Sequence, residues 1–156
     1  MTNIFFQIFK ALDKNEVQYV LIGGLALILH GIPRSTFDSD IVILGNKKNI
    51  SNVLKAIKDL NYIPMQADMV THEAFGKLEE EQCATFSSVK GDIHLDIFLK
   101  KNNKFKEMQK RSETRIIYET PVHIAKLDLL LELKKSTGRD IDKTDIILIQ
   151  KRLSLS

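Results

Sequence analysis

Apolar residues recur along this chain with two different periods, and the switches between them mark out its elements. Across residues 3–15, Ile4, Phe5, Ile8, Phe9 and Leu12 follow the helical spacing, which predicts an amphipathic helix with Thr2 or Asn3 as N-cap. Val17 to Ile22 is a short continuous apolar run, the pattern of a strand buried on both faces. Gly23-Gly24 ends it, and LALILHG predicts a helix of about two turns before Pro33 stops it. A second strand covers Asp38 to Leu44. Asn46 to Asn61 returns to the helical period, with Ile50, Val53, Leu54, Ile57 and Leu60 inward and Lys47, Lys48, Lys55 and Lys58 toward water. From Pro64 to Gln82 no period stands out.

Two strands follow, Cys83 to Val89 and Asp92 to Leu99, around a short turn at Lys90-Gly91. The second alternates cleanly: Ile93, Leu95, Ile97 and Leu99 point one way, and Asp92, His94, Asp96 and Phe98 the other. Arg115 to Tyr118 predicts a further strand. Pro121 precedes a helix running to about Lys135, and Asp140 to Leu153 forms a last one. Short crossovers together with a hairpin imply an α/β (α+β) fold, a mixed sheet with helices packed on it. No repeat, low-complexity tract or linker divides the chain, which predicts a single domain over 1–156. Its core would span about 17–120, and a C-terminal helical part about 121–156.

Composition narrows this picture only slightly. With 156 residues, 44% hydrophobic and 28% charged, the chain reads as one folded domain, not a disordered or collagen-like one. A net charge of +3 is compatible with a polyphosphate or nucleic-acid ligand and demands neither. Cys83 is the single cysteine, so no internal disulfide forms and a reducing compartment is expected. No apolar run approaches the roughly 18 residues of a membrane span. The first residues also lack the basic region and cleavage site of a secretory signal. The expected setting is the cytoplasm.

Chemistry concentrates where strands end. Two glycines at a strand-to-helix junction allow a tight bend and a close approach to a ligand, while the helix start offers free N–H groups. Asp38 and Asp40 lie two apart on a strand, so both carboxylates point to one face. Asp96 interrupts an otherwise apolar strand, where a carboxylate is costly unless paired or metal-bound. Three carboxylates on adjacent strands call for a counter-charge, and Mg²⁺ combines carboxylate ligands with substrate phosphate oxygens. Two such ions can clamp the attacking and leaving oxygens of a phosphoryl displacement. A triphosphate cradle beside such a site implies nucleotidyl transfer.

The stretch GGLALILHGIPRSTFDSDIVI resembles the signature of the DNA polymerase β-like nucleotidyltransferase superfamily. Gly23 and Gly24 match its first element, Asp38 and Asp40 its second, and Asp96 in Leu-Asp-Ile its third. The whole form is similar to small bacterial members, including the toxin-like branch. The tail LLLELKKSTGRDIDKTDIILI resembles the helix pair that often closes these domains. The resemblance implies that Gly23 and Gly24 hold a triphosphate through backbone amides. Asp38 and Asp40 would bind two Mg²⁺ ions (or Mn²⁺), and Asp96 would bind the catalytic metal and help deprotonate an acceptor hydroxyl. Arg34, Lys134 and Arg139 would neutralise the phosphates. Where many members carry Ser at the second or third position of the glycine motif, this chain has Gly24 and Leu25, leaving backbone donors alone. The implied partners are an NTP and an acceptor that is RNA, protein or a small molecule. A homodimer or antitoxin-type protein would complete the site.

Each residue also has a plainer reading. Asp38 could cap a turn after Thr36, and Arg34 could pair with Asp38 or Asp40. Lys134 could simply be solvated, and Arg139 could bridge to Asp142 or Asp145. His30 reads as a helix C-terminal cap, His94 as pocket wall or sheet cover, and Cys83 as a small core residue. Lys100 to Arg111, with six basic residues against Glu107, is either a solvated face or a contact to RNA phosphates. Two rival functions remain: a non-catalytic nucleotide-binding module of the same fold, and a metal-dependent phosphohydrolase using His30 or His94.

Overall fold

The structure is a computed structural model that describes residues 2–66, 71–79 and 82–155, with the side chains of Thr2, Asn3 and His72 outside the description. The expected capping role of Thr2 or Asn3 therefore lies outside the described residues. Helix α1 (Thr2–Lys14) buries Phe5, Ile8, Phe9 and Leu12, while Ile4 in its first turn stays exposed. Strand β1 (Tyr19–Ile22) is buried along Tyr19, Val20 and Leu21, and helix α2 (Gly23–Leu29) begins on the very next residue. The helix ends at His30, followed by Gly31 at φ 85°, so it stops before Pro33 is reached. Strand β2 (Asp38–Leu44) has the predicted bounds.

Helix α3 (Lys47–Leu60) starts where the Asn46 side chain accepts from Asn49 N–H at 2.8 Å, and ends at Asn61 in the left-handed conformation. Asn49, 2% exposed, ties this helix to the sheet through the backbone of Gln18 and Leu44. Strand β3 (Ile63–Pro64) and helix α4 (His72–Gly76) fall in the stretch where the sequence showed no period; both are too short to display one. Strands β4 (Ala84–Ser87) and β5 (His94–Lys100) form the expected hairpin, and α5 (Asn102–Lys110) settles the basic stretch as a helix buried along Phe105 and Met108.

One expectation fails. The helix anticipated after Pro121 begins only at Leu127, because residues 120–125 form a strand. Strand β6 (Ser112–Ile117) turns through Tyr118 and Glu119, at φ 46° and 65°, into β7 (Thr120–Ala125). A two-residue turn with both central φ positive ordinarily announces itself by Asn-Gly or Asp-Gly; Tyr-Glu conceals it. Pro121 is tolerated because β7 meets β1 only near Ile124, so the proline lies where that edge carries no pairing. Helices α6 (Leu127–Thr137) and α7 (Asp142–Ser154) close the chain as a packed pair.

Among the described residues seven strands run in the order β3-β4-β5-β2-β1-β7-β6, with β2 parallel to β5 and antiparallel to β1. This is the mixed sheet with helices that the pattern predicted. Central strands β1, β2 and β5 carry the core through Leu21, Ile41, Ile43, Leu95 and Ile97, all fully buried. Among the described residues no helix is long and apolar enough to cross a membrane.

Candidate active site

Strand register assembles the acidic residues. The parallel β2–β5 ladder sets Asp38 opposite His94 and Asp40 opposite Asp96, and paired positions share a face of the sheet. The β4–β5 ladder adds Thr85 opposite Asp96, and the Thr85 hydroxyl donates to Asp96 Oδ1 at 2.7 Å. His94 Nδ1 lies 3.3 Å from Asp38 Oδ1, so His94 stands beside the acidic cluster. Thr36 performs the local turn capping through Asp38 N–H and leaves the Asp38 carboxylate free for His94.

The glycine motif closes one side. Ile22, the last residue of β1, pairs with Asp40, so α2 starts against that carboxylate. A Cβ on Gly23 would overlap Asp40 Oδ2, and Gly23 adopts φ 73°. Both facts require glycine there. At Gly24 a Cβ would meet the Arg34 guanidinium carbon at 3.0 Å, so Arg34 stands directly over the motif.

Electrostatically the site is short of positive charge. Burial, the Asp96 charge and hydrogen bond, and then Asp38 push Asp40 up to about 7, with Lys134 pulling the other way. Burial first, then Asp96 and Asp40, also push the Cys83 thiol up. Cys83 is half-buried beside the acidic face, its Sγ 3.7 Å from Thr85 Oγ1, and not a core residue.

The cations predicted for the phosphates are held by the C-terminal helix pair. Arg34 Nη1 bonds Asp145 Oδ2 at 2.5 Å, in place of the Asp38 or Asp40 contact considered from sequence. Lys134 Nζ lies 3.0 Å from Asp142 Oδ1 and 3.1 Å from Asp145 Oδ2; at 13% exposure it is not a solvated lysine. Arg139 Nε reaches Asp142 Oδ2 at 2.9 Å and is otherwise in water, 63% exposed. Burial alone would raise Asp142, but hydrogen bonds from Thr137, Lys134 and Arg139 outweigh it and bring it down to about 2. The fold therefore gathers Gly23, Gly24, Arg34, Asp38, Asp40, Asp96 and Lys134, while Arg139 joins only through Asp142. Thr85 was missed from sequence; a threonine in a short strand carries no signal until pairing puts it beside a carboxylate.

The donor set tests well for a hard divalent cation. It is all carboxylate oxygen, and the Asp40–Asp96 contact is one that a cation would relieve in place of a proton. Among the described residues no group of three or more His, Cys, Asp or Glu side chains is arranged as it stands to hold a metal ion. Mg²⁺ fits such an open arrangement, because one or two carboxylates and substrate phosphates satisfy it.

Solved structures share this architecture. The lincosamide antibiotic adenylyltransferase LnuA, bound to lincomycin, superposes with TM-score 0.68 at 14% identity over 96% of each chain. ANT(2")-Ia in complex with adenylyl-2"-tobramycin gives 0.65 at 14% identity over 97% of this chain and 88% of that one. A nucleotidyltransferase-type protein from Thermotoga maritima gives 0.62 at 14% identity, covering 99% and 93%. At such identities the likeness is one of fold. No curated protein matches the chain significantly in sequence. The family described as nucleotidyltransferase of unknown function (DUF6036) matches residues 2–79, which include the glycine motif and the Asp38/Asp40 strand. With half of its length matched and the third carboxylate delivered by the adjoining strand, the chain belongs to that nucleotidyltransferase family.

Proposed function

We propose that this protein moves a nucleoside monophosphate from an NTP to an acceptor hydroxyl, with two Mg²⁺ ions held by Asp38, Asp40 and Asp96. The observation that carries the reading is the ladder register that sets Asp40 beside Asp96, with Gly23 pressed against Asp40. The bound ions would supply charge neutralisation for the displacement. Backbone amides at Gly23 and Gly24, with Arg34 above them and Lys134 alongside, would hold the triphosphate. Arg139 would act at longer range through Asp142. Asp96, oriented by Thr85, would take the proton of the acceptor hydroxyl as its oxygen bonds to the α-phosphorus and pyrophosphate leaves. Catalysis on this plan rests on positioning and electrostatics.

The acceptor is a hydroxyl on a small molecule, RNA or protein, and a second copy or an antitoxin-type partner would complete the acceptor side. Incorporation from each α-³²P NTP into bacterial RNA, protein and a panel of hydroxylated antibiotics tests this. Wild type is run beside the Asp38→Ala/Asp40→Ala variant. Label that appears only with wild type supports transfer and names base and acceptor class. Equal label in both, or nucleotide binding with no turnover on any acceptor, rejects it in favour of the non-catalytic module.

A further inference from the structure

A cavity of about 550 Å³ opens at the far end of the same helix pair, bounded by Leu29, His30 and Gly31 after α2, Arg115 on β6, Leu127 on α6 and Arg152 and Leu155 at the end of α7. Its volume is within the range of small-ligand sites. His30 lies seven residues beyond Gly23, and Arg152 seven beyond Asp145. At about 1.5 Å per helical residue, each is roughly 10 Å along its helix from the carboxylate site. Seven residues is close to two turns, so α7 presents Asp145 and Arg152 from the same side. None of the residues around this cavity belongs to the nucleotide machinery described above.

The cavity is built around two guanidinium groups. Arg115 donates from Nε to Glu113 at 2.6 Å, from Nη1 to the Leu29 carbonyl, and from Nη2 to His30 Nδ1 at 3.0 Å, with Nη2 also paired to Glu113. His30 Nε2 lies 2.8 Å from the Ala125 carbonyl. A carbonyl only accepts, so Nε2 carries the hydrogen and Nδ1 offers its lone pair to Arg115. The ring is a neutral bracket, and burial, which lowers its pKa, favours that state. Arg115 is thereby fixed in orientation with a spare Nη1 hydrogen, and its charge is answered by Glu113.

Arg152 is different. Its guanidinium stands over Gly31, whose Cβ, were there one, would lie 3.7 Å from Nη2. Among the described residues its side chain has no carboxylate partner and no hydrogen bond. Among the described residues the cavity therefore holds one arginine paired with a carboxylate and one without such a partner, beside apolar walls from Leu29 and Leu127. A guanidinium fork matches phosphate oxygens, and the leucines suit a compact organic body.

We propose that this cavity is a second anion site, which takes the phosphate group of a small phosphomonoester between Arg152 and the preset Arg115. The site is independent of the transfer reaction, and the probe is ribose 5-phosphate. Binding is followed by amide and arginine Nε–H NMR shifts at Gly31 and Arg115, in wild type, Arg152→Gln and Asp40→Asn. The expected result is saturable shifts in wild type and Asp40→Asn, and none with ribose. Affinity falls about tenfold or more in Arg152→Gln, the scale of one lost charge-assisted hydrogen bond. Arg152 is solvent-exposed on its helix, and an unchanged spectrum elsewhere verifies that the variant folds. Equal affinity in Arg152→Gln, loss of binding in Asp40→Asn, or shifts produced only by a tetranucleotide and not by the monoester would each overturn the proposal.

Discussion

Replacing Asp40 by asparagine removes one negative charge from the acidic face while keeping the shape of the side chain. In the folded protein Asp40 is pushed up to about 7 from an ordinary 3.8. A group whose folded pKa is raised contributes its stability fully below its unfolded pKa and loses it as pH rises through the folded one. The wild-type protein free of metal should therefore lose stability between about pH 4 and about pH 8. A displacement of about three pKa units corresponds to about 4 kcal/mol at its ceiling. Asp40 is not fully buried, and solvent screens part of the effect, so about 2 kcal/mol is the working figure. For a chain of this size each kcal/mol moves Tm by about 2–4 °C. The substituted amide carries no charge at any pH, so wild type and Asp40→Asn should melt together at about pH 4.5. The variant should melt about 4–8 °C higher at about pH 8. The assay is thermal unfolding by circular dichroism in EDTA across that pH series, with nucleotidyl transfer measured in parallel and expected to vanish. A melting difference that does not grow with pH, or a variant less stable than wild type at the alkaline end, would refute the electrostatic account of the site.

Gly23→Ala should abolish transfer, because its Cβ would displace the Asp40 carboxylate and the left-handed backbone adds about 1–2 kcal/mol of strain. A variant with full turnover would remove the glycine–aspartate contact from the argument. Thr85→Val should lower kcat/KM about tenfold and raise the Mg²⁺ concentration for half-maximal activity, since Asp96 loses its 2.7 Å donor. Thr85→Ser should restore both, and an unchanged Mg²⁺ requirement in the valine variant would make Thr85 merely structural.

What the sequence by itself determined is local. Alternation along a strand is set by backbone stereochemistry, so Asp38 and Asp40 had to share a face, and so did His94 and Asp96. The adjacent glycines marked the strand-to-helix junction, and the helical period found α1 and α3, whereas the start of α6 was misplaced onto strand β7. Local rules faltered where the usual residue signals were missing, at the Tyr118–Glu119 turn and the two-residue strand β3.

Only the tertiary structure decided which carboxylates meet. Asp40 and Asp96 come together because β2 and β5 pair in one register, and a shift by one residue would send the two sets to opposite faces. The partner of Arg34 is Asp145, 111 positions away, which no spacing rule connects. Lys134 occupied a helix position that reads as solvated, yet α7 folds over it and buries it between Asp142 and Asp145. Pairing register and helix docking depend on the burial of whole apolar faces, so the charges they bring together become visible only in the folded chain.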